Sequence, residues 1–135
     1  MTAVPDTQAP LAFIYDRCAS RDACSRRELD MRLLGCHAYA DREGWVLAGG
    51  PWLDHGADAL STHRPQLSML VGAMQAEAGR RAVLCLVHDW GRLATDTTHR
   101  LRLQQRIVEA GGWTATAFGE SDEHTVRAVL MGRQQ

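Results

Sequence analysis

The sequence predicts a three-layer αβα sandwich on a mostly parallel sheet of four to five strands, and three observations carry that prediction. Two apolar runs, Leu-Ala-Phe-Ile-Tyr from Leu11 and Ala-Val-Leu-Cys-Leu-Val from Ala82, have no polar face, so each needs cover on both sides, as central strands of a parallel sheet do. Segments of helical spacing alternate with these runs in the order βαβαβαβ over short connections, which favours parallel pairing with right-handed crossovers. The chain has 135 residues, 45% of them hydrophobic, enough for one core and too few for two.

Residues 1–10, with two prolines and small polar side chains, read as a disordered lead-in. A single domain is expected over 11–131, with 132–135 as a tail. Its first strand is the apolar run from Leu11, which breaks off in Asp16, Arg17, Cys18, Ala19 and Ser20. Strand ends of this kind form the ligand-facing edge of an open α/β sheet. From Ser25 the apolar positions shift to Leu29, Leu33, Cys36 and Tyr39 or Ala40, the three- and four-residue steps of an amphipathic helix. Ser25 and Glu28 have the form of a capping box, and Gly44 is a natural stop.

Trp45 to Ala48 reads as a second strand ended by Gly49-Gly50-Pro51, and Trp52 to His63 as a polar loop. Pro65 suits the first turn of a second helix with Leu67, Leu70, Val71 and Met74 on one face, closed by Gly79. Ala82 to Val87 is the next strand, ending in charge at His88-Asp89. Asp96 or Thr97 caps a third helix whose apolar face is Leu101, Leu103 or Gln104, Ile107, and Val108 or Ala110. Gly111-Gly112 ends it, and Trp113 to Phe118 alternates as a fourth strand. Thr125 to Met131 reads as an edge strand in preference to a short helix.

Composition narrows function. The formal net charge is -1, so no global basic field draws the chain to nucleic acid, and phosphate binding has to be local. All fifteen basic residues are arginine, whose planar fork suits bidentate phosphate contact. No apolar run approaches the ~20 residues of a membrane span, and no leader pattern opens the chain. A cytoplasmic protein without membrane partners is the expectation.

The four cysteines form no C-x-x-C pair and read as reduced thiols, Cys36 and Cys85 in the core. Cys18 beside Arg17 has a minor claim as a nucleophile, but no histidine is paired with it in the sequence. The six histidines are scattered with no i, i+4 pair, so neither metal nor cofactor is expected. Among them His88, next to Asp89, is the first candidate for a functional titration. Trp52 and Trp90 lie in or near loops at the ligand-facing edge and are candidates for partner contact, whereas Trp45 and Trp113 each open a strand and suit the opposite rim of the core.

Several pieces in order carry a likeness. They are Tyr15-Asp16-Arg17, the helix ending in His37 to Trp45, Asp54-His55-Gly56, Arg64-Pro65, Arg92-Leu93, and Glu109-Ala110-Gly111-Gly112. Together they resemble the resolvase/invertase catalytic domain of serine recombinases, over roughly Leu11 to Asp122. The resemblance implies a resolvase-like fold and a serine just after the first strand that attacks a DNA phosphodiester. It also implies arginines around the phosphate, because a charge-rich transition state at phosphorus needs preorganised cations. Arg17, Arg64 and Arg92 match three of these arginines and are the candidate DNA phosphate-binding and catalytic residues.

The departures from the family pattern are specific. In the pattern Tyr-x-Arg-x-Ser the serine position is Ala19, and Ser20 is one residue late. The pattern Asp-Arg-Leu-x-Arg reads Gly91-Arg92-Leu93-Ala94-Thr95, without its acid or its last arginine. Asp58 stands for a loop serine, and Arg32 for a glutamine of the first helix. A one-residue shift turns a side chain to the opposite face if the strand continues. Each lost transition-state donor typically costs about 2.7 to 4 kcal/mol.

The expectation is therefore a stand-alone, catalytically impaired domain, a pseudoenzyme, that binds DNA, a related recombinase or itself. The alternative is an active strand-transfer or nicking enzyme using Ser20 as nucleophile. A third reading keeps only the fold, as a small-anion or nucleotide binder at the strand ends.

Overall fold

The computed structural model of the chain describes residues 8–18, 26–60 and 63–125. The strand Leu11–Cys18 (β1) is its centre, with all eight residues buried. On one side it pairs in parallel with Val83–Val87 (β4), which pairs in parallel with Trp113–Thr116 (β5). On its other side β1 pairs with two short strands in turn, Val46–Leu47 (β2) along its first half and Trp52–His55 (β3) along its second. The sheet order is β2-β1-β4-β5, with β3 beside β1, five parallel strands in all.

Side chains of β1 alternate between two cores, as the pleat requires. Ala12 and Ile14 pack with Leu84, Leu86, Trp113 and Ala115 against Cys36 and Ala40 of the helix Arg26–Glu43 (α1). Leu11, Phe13 and Tyr15 point the other way. They meet Leu67, Leu70 and Met74 of Pro65–Ala78 (α2), and Leu103 and Ile107 of Thr97–Glu109 (α3). The three layers follow from this division. Each large side chain so buried stabilises the fold by about 1.5 to 3 kcal/mol.

The helix starts and stops are those the residue types predict. Pro65 sits in the first turn of α2, and Asp96 caps α3 by accepting from Thr98 N and His99 N. Gly44 and Gly111 take positive φ, at 75° and 98°, just past α1 and α3. Gln104 of α3 is buried because its Nε2 donates to Asp122 Oδ2 at 2.8 Å, and Asp122 Oδ1 accepts from Thr114 N. Leu101, expected on the apolar face of α3, is instead 56% exposed.

The loop expected from Trp52 begins instead with a strand. Gly49-Gly50-Pro51 is a kink between two strands: Gly50 has φ 77°, and the Trp52 ring lies so close that a Cβ on Gly50 would be 2.5 Å from it. Trp52 then packs on Phe13 with ring centroids 5.5 Å apart, which returns the chain to β1. Trp52 is thus part of the core rim, in a strand and not in a loop. The Ser25 cap and the segment 126–131 lie outside the described residues.

Candidate functional site

The alternation of β1 continues into its polar end and divides the charges there. Asp16 turns to the α1 side, where Arg32 grips it with Nε and Nη2 at 2.8 and 3.0 Å. Asp16 is buried and Arg32 partly so, and the carboxylate holds the Arg32 guanidinium more firmly protonated than usual. Arg17 turns to the α2 side and is 6% exposed. Cys18 turns back to α1, with its sulfur 3.6 Å from Arg32 Nη2.

Arg17, Arg64 and Arg92, the three arginines singled out by the resemblance, lie close to one another. Arg17 Nε donates to Gly91 O at 2.9 Å and its Nη1 to Ala59 O at 3.3 Å. Arg92 Nη1 donates to the carbonyl of Arg17 at 3.2 Å. Arg64 is fully buried, and its Nη1 donates to Leu93 O and to the Tyr15 hydroxyl. The three guanidinium groups therefore tie together the end of β1, the start of α2 and the turn after β4. Arg64 has φ 25°, a sparsely populated conformation for a residue with a Cβ. Such backbone persists when the surroundings hold it, and here the buried guanidinium is the anchor.

One acidic residue builds the floor of this cluster. Asp54 Oδ2 accepts from the Tyr15 hydroxyl at 2.8 Å and from Leu67 N at 3.1 Å, while Oδ1 accepts from Gln66 N at 2.9 Å. The carboxylate thus satisfies two of the unpaired amides that open α2 and sits at the positive end of its dipole. Burial raises the Tyr15 hydroxyl above its ordinary pKa, so it remains a donor.

The clustered cations act on one another. Burial, followed by the charges of Arg64 and Arg92, lowers the pKa of Arg17. His99, at the start of α3, is lowered by burial and then by Arg64. Cations crowded in this way favour an anion. Trp90 lies beside them with the Arg100 guanidinium 5.0 Å from its ring centroid.

The sequence reading understates three residues. Asp89 places Oδ1 3.7 Å from Arg92 Nε, so Arg92 has an acidic neighbour although position 91 is glycine. Asp54 holds the cluster together, and Asp16 consumes Arg32. Tyr15, Asp16 and Arg17 in succession contain the signal, since period two sends Asp16 to one helix and its neighbours to another. Asp58 is exposed on the turn Gly56–Ala59, whose last carbonyl accepts from Arg17.

Ala19 and Ser20 lie outside the described residues, as does Cys24. Cys18 is disulfide-bonded, so it is neither a reduced thiol nor a nucleophile. Cys36 and Cys85 are free and buried, as expected, and burial pushes the Cys36 thiol up to about 12. Among the described residues no three His, Cys, Asp or Glu side chains are grouped to hold a metal, and no helix is long and apolar enough to cross a membrane.

No family model matches the sequence, and no curated protein matches it. Solved structures do. The N-terminal catalytic domain of TP901-1 integrase superposes with a TM-score of 0.63 at 19% identity, over 93% of this chain and 96% of that one. A resolvase family site-specific recombinase from Streptococcus pneumoniae superposes with a TM-score of 0.68 at 15% identity, over 94% and 89%. At that identity the likeness is one of fold, and it spans nearly the whole length of both chains. The chain therefore has the resolvase-like fold that these two structures share.

Proposed function

We propose that this resolvase-like domain binds a DNA phosphate at the Arg17, Arg64 and Arg92 cluster and is impaired in recombination. The observation that supports this most is where the arginine donors go. Arg17 and Arg64 are buried and spend donors on the carbonyls of Gly91, Ala59 and Leu93. All three cations spend donors on backbone carbonyls, Arg92 on that of Arg17, and Arg92 is the one whose side chain is partly exposed, which supports it as the contact for a ligand. A site for phosphoryl transfer needs donors aimed at the oxygens of the transition state. Ala19 at the expected nucleophile position points the same way.

The two recombinases of similar fold are the reason to name DNA as the ligand. A related recombinase, or a second copy of this chain, is the protein partner this reading entails, because a domain without its own strand exchange acts through another. The competing reading, strand transfer or nicking by Ser20, is favoured by the convergence of all three arginines. Incubation with supercoiled and linear DNA separates the two. The expected result is reversible, salt-sensitive binding that Arg92→Ala weakens and Ser20→Ala leaves unchanged. A covalent protein–DNA adduct that disappears in Ser20→Ala overturns the proposal.

A further inference from the structure

Asp89 stands between a histidine and an arginine. Its Oδ2 is 2.9 Å from His88 Nδ1, and its Oδ1 is 3.7 Å from Arg92 Nε. Arg92 Nε is buried and makes no hydrogen bond, so Asp89 balances the guanidinium by charge without engaging that donor. Gly91 makes the arrangement possible, since a Cβ there would lie 2.9 Å from Asp89 Oδ1. The chain lacks an acid at position 91 and supplies one from position 89, through the space that Gly91 leaves.

His88 is confined on its other sides. Its ring meets Phe118 edge to face, with centroids 5.1 Å apart, and a Cβ on Gly35 of α1 would be 3.2 Å from its Cδ2. The imidazole therefore stays on Asp89. Other ionisable groups face this pair from each neighbouring element. From α1 come Arg32, which is paired with Asp16 of β1, and the buried thiol of Cys36, and both sense the charge of Asp89. Arg92 and, through it, Arg17 close the other side. The guanidinium groups keep their charge, so of the groups in contact with Asp89 the imidazole is the one able to take up a proton.

We propose that the His88–Asp89 pair regulates anion binding at Arg92 by proton uptake: protonated His88 draws the Asp89 charge to itself, leaving Arg92 less neutralised and its grip on a DNA phosphate stronger. The proposal rests on the phosphate-binding reading above and adds a control to it. A phosphodiester keeps its single negative charge throughout this range, so a change in affinity reports on the protein. Added positive charge and a diverted carboxylate act in the same direction, and together they predict binding about fivefold tighter at pH 5.5 than at pH 8.

Two measurements on the full chain test this. In an NMR titration from pH 8 to 5, the Arg92 Nε resonance should move with the midpoint of the His88 ring, and this movement should be lost in Asp89→Asn. An Arg92 resonance that ignores His88 overturns the proposal. Calorimetry with a 20-base-pair duplex at fixed ionic strength should show the fivefold gain in the unsubstituted protein. His88→Gln should lose most of it, and Asp89→Asn should bind at pH 8 about as tightly as the unsubstituted protein does at pH 5.5. A duplex bound with the same pH profile after His88→Gln overturns the proposal alone. A duplex bound by none of the proteins overturns the DNA reading and the proposed ligand together.

Discussion

The Tyr15 hydroxyl donates to Asp54 Oδ2 at 2.8 Å, joining the last apolar residue of β1 to the end of β3 beneath the opening amides of α2. That contact sets the position of Arg64, whose Nη1 reaches the same hydroxyl. Tyr15→Phe should cost about 1 to 3 kcal/mol, because it leaves buried hydrogen-bonding groups short of a partner. Asp54→Ala should cost more, since it also strips two helix-opening amides of their acceptor. Urea unfolding of both variants checks the order, and an Asp54→Ala protein as stable as Tyr15→Phe would contradict it.

Arg32 pairs with the buried Asp16 on the opposite face. Arg32→Met should destabilise by about 3 to 5 kcal/mol, because a carboxylate that is 1% exposed is left without its cation. Replacing both residues with apolar ones should recover most of that loss. A double-mutant cycle measures the coupling, and simple additivity would show that the pair contributes nothing jointly.

Two glycines make a packing contrast. Gly112 lies against α2 and β4, where a Cβ would be 2.5 Å from both Met74 Cε and Val83 O, so Gly112→Ala should cost about 1 to 3 kcal/mol. Gly79 ends α2 with φ -74° and open space around it. Gly79→Ala should therefore be neutral or stabilise by about 0.4 to 1 kcal/mol through the unfolded chain. Thermal melts of the two variants should move in opposite directions or differ by several degrees.

His99 gives a pH dependence with a definite sign. Its folded pKa is lowered by burial and then by Arg64, so the unfolded chain takes up the proton first as pH falls. The stability that neutral His99 contributes is present above the ordinary histidine pKa and is lost as pH drops from there through the folded value. His99→Gln should flatten the stability profile below about pH 6.5, and a profile unchanged by the substitution would refute this assignment.

Arg92→Ala should lower DNA affinity and reduce the slope of log K against log salt by about one, the mark of a single lost phosphate contact. A change confined to one DNA sequence would instead indicate a base contact.

Much of this fold was legible in residue types. The two apolar runs placed β1 and β4 at the centre of the sheet, Pro65 and Asp96 marked helix starts, and the order of strands and helices set the layers. β3 was not legible, because Gly49-Gly50-Pro51 has the composition of a strand end, and only the Trp52–Phe13 contact brings the chain back to β1. Leu101 was misplaced because helical spacing defines a face without saying how wide the covered stripe is.

By itself the sequence determined that Arg17, Arg64 and Arg92 lie at or just past the ends of strands and a helix start, and its resemblance to serine recombinases implied a serine where Ala19 stands. Tertiary structure decided their roles. Hydrogen bonds from Arg17 to Gly91, Arg92 to Arg17, and Arg64 to Leu93 and Tyr15 span distant parts of the chain, and no local pattern specifies them. The same holds for the acids. Asp16, Asp54 and Asp89 are equivalent as letters, but the pleat, a helix start and a glycine gap give them a cation, two amides and a histidine as partners. Partnership in three dimensions, which charge and burial control, is what gives residues of one type different surroundings.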